Sequence, residues 1–311
     1  MGDALLVRQC EEFLVLFVHG GEEAMDRTIR TRDGLELQRR DWPSGDARGT
    51  IVIVHGLGEH VGRYAHVAAR LNASRWSVVG YDQRGHGASP GGRGRLAAAD
   101  DLLADLAAVL DHVRGEATGP LVLLGHSLGG LVAARFVAGA LESPPPPWRS
   151  EVVDALVLSS PALDVGMSAA QKALLATLGP LTPNLAVGNG LDPAWISRDP
   201  AVVAAYRADP LVHDRIAPRL GRFIVDAGDA VRALAPKWQV PTLLVYAGSD
   251  RCVAPAGSAA FAEAAPAGVV RAHPFASLFH EIFNEPEQDE VLSILTAWLD
   301  TLPVSPTGSP R

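Results

Sequence analysis

Cysteine is scarce: 311 residues contain two, Cys10 and Cys252. Two thiols so far apart argue against a disulfide framework and point to a reducing compartment, read here as cytoplasmic. They are too few for a thiolate zinc site, and no His-Glu-x-x-His spacing offers a histidine one, so neither metal nor cofactor is expected. Basic residues do not gather either. Lysine and arginine number 27 against 35 acids, a formal charge of −8. With no cationic block to track phosphates, nucleic acid is not an expected partner. The apolar stretch near the start, Phe13-Leu14-Val15-Leu16-Phe17-Val18, is six residues long and follows Glu11-Glu12 rather than a basic segment. That argues against both a membrane span and a secretory signal. No internal repeat is visible.

What is present is a chain long and apolar enough, at 48% hydrophobic residues, for a sizeable α/β core. Asp33-Gly34 reads as a hairpin turn, and 35–42 alternates as an edge strand would. Thr50-Ile51-Val52-Ile53-Val54 is a continuous β-branched run, the mark of a strand covered on both faces. Strands are expected again at 76–81, 121–124, 153–158, 241–246 and 269–271, with helices at 64–71, 100–113, 131–137 and 288–299. Strand and helix alternate, so the expected fold is α/β with a mostly parallel, doubly wound sheet. Between 161 and 237 the alternation stops and helical stretches broken by proline and glycine replace it. The expected organisation is an N-terminal extension (1–25, with Met25 a candidate start), core (26–160), an inserted helical cap (161–237), core again (238–302) and a disordered tail (303–311).

Gly125-His126-Ser127-Leu128-Gly129 matches the Gly-x-Ser-x-Gly elbow, between an apolar strand and a helix. The chemistry needs a serine on a sharp turn, its hydroxyl exposed and the next backbone N–H free. A serine hydroxyl is a weak nucleophile, so a histidine must take its proton and a carboxylate must orient that histidine. On this fold both should follow in loops after later strands, in the order acid, then histidine. Asp250, in Gly248-Ser249-Asp250, and His280, in Phe279-His280-Glu281, meet that order. His126 is read as structural or pocket-lining, and His86 as a backbone brace. For the oxyanion of acyl transfer the expected donors are the N–H groups of Leu128 and Leu57, the latter set between Gly56 and Gly58.

With these residues in view, the chain resembles the α/β-hydrolase superfamily, in its monoacylglycerol lipase and lysophospholipase-like branch. The resemblance runs from about residue 30 to 300. Its carriers are His55-Gly56-Leu57-Gly58-Glu59-His60 with Gly62-Arg63-Tyr64, Asp82-Gln83-Arg84-Gly85-His86-Gly87-Ala88-Ser89, the elbow, and Ile196-Ser197-Arg198-Asp199 with Tyr206 and Asp209-Pro210-Leu211. It implies a Ser127–Asp250–His280 triad and an α/β-hydrolase fold with a cap. It also implies a polar pocket end drawing on Glu59, Arg63 and Tyr206, for which a buried ion pair bracing the loop is the competing reading. Cys252 is read as structural. Residues 163–195 show little similarity to the family.

The expected activity is hydrolysis of single-chain lipid esters, monoacylglycerols first, with lysophospholipase, short-chain carboxylesterase and thioesterase as alternatives. A non-catalytic binding module is argued against by an intact serine, acid and histidine in order. The expected partner is a small lipid ester, with transient contact at a membrane surface through the cap. In particular, 167–178 is apolar around much of a helix, and Leu174 and Leu175 are candidates for lining an acyl tunnel, with lipid contact and simple packing within the cap as the competing readings.

Overall fold

The computed structural model describes residues 25–117, 119–148 and 153–303. Residues 1–24 of the expected extension and 304–311 of the expected tail lie outside the described residues. The first strand, β1 (Met25–Arg30), already contains Met25 and pairs antiparallel with β2 (Glu36–Trp42) across the turn at Asp33-Gly34. So the strand expected at the edge is not the edge: β1 covers it. In the sequence Met25-Asp26-Arg27-Thr28-Ile29-Arg30 of β1 the apolar alternation that betrays β2 is missing, as suits an edge strand.

The sheet continues with β3 (Thr50–Val54), β4 (Ser77–Tyr81), β5 (Leu121–His126) and β6 (Ala155–Ser159). In the cap region lie two-residue strands β7 (Val187–Gly188) and β8 (Arg215–Ile216), and after it come β9 (Thr242–Ala247) and β10 (Val270–Phe275). The eight-stranded order is β1-β2-β4-β3-β5-β6-β9-β10, parallel from β4 onward. Strand order reverses at β3, whose neighbours are β4 and β5. Ligands of open α/β sheets bind outside the carboxyl ends of the strands near such a point.

The helices are α1 (Ala65–Ala73), α2 (Asp101–Glu116), α3 (Leu128–Ala138), α4 (Ala169–Leu178), α5 (Pro200–Ala208), α6 (Pro218–Leu234), α7 (Pro255–Ala264) and α8 (Gln288–Leu299). Of these, α2, α3, α6 and α7 cover one face of the sheet and α1 and α8 the other. Val52 and Val54 of β3 face one core with Leu106, Leu131 and Phe223, whereas Ile51 and Ile53 face the other with Leu71 and Leu295. This two-sided burial is why β3 and β5 read as unbroken apolar runs.

Between 161 and 237 the chain forms α4, α5 and α6, together with the β7–β8 ribbon, which the helical pattern did not announce. The last of these helices is amphipathic. Its Leu220, Phe223, Ile224, Ala227 and Val231 are buried in the core that also holds α3. Among the described residues no helix is long and apolar enough to cross a membrane.

Candidate active site

The parallel strands deliver four loops to one sheet edge. Ser127 sits between β5 and α3 at φ 53°, ψ −119°, a conformation that costs a non-glycine residue roughly 1–3 kcal/mol. The surrounding backbone holds it there: Ser127 N donates to Ser159 O at 3.0 Å, and its carbonyl accepts from Leu131 N and Ala162 N, each at 3.0 Å. The turn closes because its glycines lack side chains. A Cβ on Gly125 would stand 2.5 Å from Gly129 O, and one on Gly129 would stand 2.1 Å from Val54 O.

His280, between β10 and α8, places Nε2 2.8 Å from Ser127 Oγ and Nδ1 2.7 Å from Asp250 Oδ2. Asp250 follows β9, and its other oxygen accepts from Cys252 N (2.8 Å) and Val253 N (3.1 Å). Both side chains of the His280–Asp250 pair are nearly inaccessible. Burial alone would lower the His280 pKa, but the Asp250 carboxylate and its hydrogen bond raise it above the ordinary 6.5. An imidazole so held can accept the serine proton and carry it as a cation beside a carboxylate. The His126 ring lies 4.8 Å from that of His280. Burial, with the His280 charge beside it, pushes His126 down to about 4, and Nδ1 contacts Ser159 Oγ at 3.1 Å. Burial and then Asp250 raise the Cys252 thiol.

The loop after β3 is fixed from within. Glu59 Oε1 accepts from Gly56 N (2.6 Å) and Tyr64 OH (2.7 Å), while Oε2 pairs with Arg63 (2.5 Å). Arg63 also grips Glu281 through two bonds of 2.7 and 2.6 Å, with its guanidinium 4.8 Å from the Tyr206 ring centre. Burial would raise Glu59, yet Arg63 and neighbouring donors hold it at about 2. Leu57 lies in this loop beside Ser127. Leu128 opens α3, where a first-turn N–H has no acceptor within the helix. The loop at 82–89 braces the first: Gln83 donates to His55 O (2.7 Å), and His86 turns its Nδ1 to Arg84 O (3.0 Å). The cap docks on the same loop through His213 N to Gly58 O (2.8 Å) and through His60 to Asp209 (2.8 Å).

Two cavities meet at Ser127. One, about 350 Å³, is lined by Glu59, His126, Tyr206, His213 and Glu281 among others. The second, about 230 Å³, is lined by Val165, Met167, Leu191, Ile216 and Ile224. Leu57, Ser127, Asn189, Leu191 and Cys252 border both. Of the residues implied for the polar end, Glu59 and Tyr206 face the cavity, whereas Arg63 is occupied by the two glutamates beneath the Tyr206 ring. Glu281, Asn189 and His213 were not singled out from the sequence as site residues. Glu281 had a signal, its place directly after His280; Asn189 and His213 had none, because both arrive through cap segments of no regular pattern.

The geometry defines a class, the serine hydrolases of the α/β fold, and the comparisons agree. The family described as serine aminopeptidase, S33, matches residues 45–287, and the chain belongs to it. Its place within the superfamily is the monoacylglycerol lipase-like branch. It is 37% identical over 261 residues to the monoacylglycerol lipase of Mycolicibacterium smegmatis, covering 83% of this chain and 90% of that protein. It is 33% identical over 224 residues to the human monoglyceride lipase, covering 70% and 71%. The crystal structure of the Paleococcus ferrophilus monoacylglycerol lipase superimposes with a TM-score of 0.76 at 34% identity, over 86% of this chain and 100% of that one.

Proposed function

We propose that the protein is a monoacylglycerol lipase that works through Ser127, His280 and Asp250 and an acyl-enzyme intermediate. The observation that carries this reading is the position of Ser127 at the junction of a polar and an apolar cavity. An ester carbon at that junction would direct an acyl chain one way and a glycerol the other. Ser127 Oγ attacks the carbonyl while His280 takes its proton, and the N–H groups of Leu57 and Leu128 receive the oxyanion. His280 then protonates the departing glycerol oxygen in the polar cavity. Water enters by the same side, gives one proton to His280 as it adds to the acyl carbon, and His280 returns that proton to Ser127 Oγ as the fatty acid leaves.

The lining also bears on the alternatives. Around the polar cavity Asp192, Asp209 and Asp214 face Arg207, beside Glu59 and Glu281 that share Arg63, so acids outnumber cations. That balance disfavours a phosphate headgroup and favours a neutral polyol, and so favours monoacylglycerol over lysophospholipid. Leu174, Leu181, Leu185 and Val187 are exposed in the segment that leads to the cavities, and Leu191 at its end lines both. An apolar surface there serves transient contact with a lipid aggregate.

The test is labelling by a fluorophosphonate probe together with kcat/KM on a monoacylglycerol, the matching lysophosphatidylcholine and p-nitrophenyl acetate. Ser127→Ala should abolish labelling and lower turnover by roughly 10⁴ or more. Retained turnover in a folded Ser127→Ala protein, or a preference for the lysophospholipid, would overturn the proposal.

A further inference from the structure

Neither leucine singled out in α4 lines the apolar cavity at Ser127. Leu174 is 58% exposed. Leu175 stands instead behind Gly221 of α6, where a Cβ on the glycine would lie 3.7 and 3.8 Å from its two methyl groups. Gly221 borders the apolar cavity, while Leu175 borders a separate one of about 540 Å³ between α4, α6 and the amino end of α2, shared with Leu103, Trp148 and Phe223.

Gly221 is not explained by the backbone or by crowding. It lies inside a helix, where glycine destabilises relative to alanine, and a Cβ there would meet nothing closer than ordinary contact distance. What the missing side chain leaves is open space in the wall of the acyl cavity. The other half of that wall is lightly held. None of the described side chains of α4 is buried, and the helix is secured by the Ser168–Gln171 capping box and an exposed Lys172–Asp229 contact at 3.5 Å.

We propose that Leu175 and Gly221 form the wall that sets the acyl-chain preference, and that longer chains pass it into the outer cavity. This rests on the esterase reading above. Taking a methylene as about the size of a water molecule, whose share of liquid volume is about 30 Å³, the inner cavity of about 230 Å³ holds about eight carbons. A longer chain has an apolar route onward, past Leu175 behind Gly221, into a space whose lining includes buried Leu103, Trp148 and Phe223. Each methylene admitted is worth about fourfold in kcat/KM.

The experiment measures kcat/KM for p-nitrophenyl acetate, 1-monooctanoylglycerol and 1-monododecanoylglycerol, all as dissolved monomers, in the wild-type protein and in Leu175→Trp, Leu175→Ala and Gly221→Leu. With each rate expressed relative to acetate in the same variant, Leu175→Trp and Gly221→Leu should lower the dodecanoyl-to-octanoyl ratio by about tenfold or more. Leu175→Ala, which only trims a half-buried side chain, should raise it. The proposal is overturned if the ratio is unchanged in variants that still label at Ser127, or if all three esters lose rate together. Failure of the esterase reading looks different: the wild-type protein would cleave none of the three, and the wall would fall with it.

Discussion

Replacing Glu59 by glutamine tests whether the loop after β3 is held by charge. The carboxylate accepts from Gly56 N, Tyr64 OH and Arg63, and the amide can accept only through its single oxygen, so its NH₂ must meet one of these donors. Against that stands an opposing gain, because Glu59 and Glu281 share one arginine and removing a carboxylate relieves their repulsion. The balance can be read from the titration. Glu59 is held at about 2 despite full burial, so Arg63, with His126, His55 and the Tyr64 hydrogen bond beside it, outweighs desolvation. With 4.5 as the ordinary value, the preference for the charged form contributes about 3 kcal/mol at neutral pH. A lowered carboxylate pKa gives stability that is complete above about 4.5 and is lost as pH falls through about 2. Glu59→Gln should therefore unfold roughly 5 °C below the wild-type protein at pH 7, with the difference about halved by pH 3. Thermal unfolding across that range is the assay. A Glu59→Gln variant equal in stability to the wild type, or a deficit independent of pH, would show that relief of repulsion wins and that the pair is not what fixes Leu57.

Because Asp250 raises the pKa of His280 and the base must be neutral to act, kcat/KM should rise with pH through an apparent pKa above 6.5; a flat profile between pH 5 and 8 in stable enzyme would count against a histidine base. Gly58→Ala should lower both stability and turnover, since Gly58 has φ 77° and a Cβ would lie 2.2 Å from His213 O; wild-type kinetics in that variant would show that cap docking at this contact is dispensable. The raised Cys252 pKa keeps the thiol protonated at neutral pH, so iodoacetamide should modify it far more slowly than a free cysteine in solution, and equal rates measured by mass spectrometry would refute this.

How much was legible in the sequence follows from where each contact comes from. The strands at the centre announce themselves because residues such as Ile51 and Val52 must be apolar on both faces. Ser127 was legible because its turn dictates its neighbours: Gly125 and Gly129 are forced by approaches of 2.5 and 2.1 Å. Asp250 and His280 followed from chain order, and they stand in hydrogen-bond contact with each other and with Ser127. What stayed hidden has no local cause. β1 is polar at four of its six residues and exists as a strand by pairing with β2. The β7–β8 ribbon is two residues on each side, too short for any alternation to show. The placing of Leu175 behind Gly221 depends on how two cap helices cross, which the apolar composition of 167–178 could not specify.

The two ends of the site are built to different tolerances. Around the polar cavity, Glu59, Arg63 and Glu281 lock one another, and the cap is fastened by His60 to Asp209, by His213 to Gly58 and by Arg198 to Glu285 at 2.5 Å. Groups so buried and so fully engaged leave little freedom for a misfit headgroup, since a polar site penalises an analogue that cannot complete its hydrogen bonds far more than an apolar site penalises an extra methylene. The apolar end is backed at Gly221 by α4, which buries none of its described side chains and meets α6 through contacts such as Leu175 on Gly221. A wall of that kind yields by small increments, one methylene at a time.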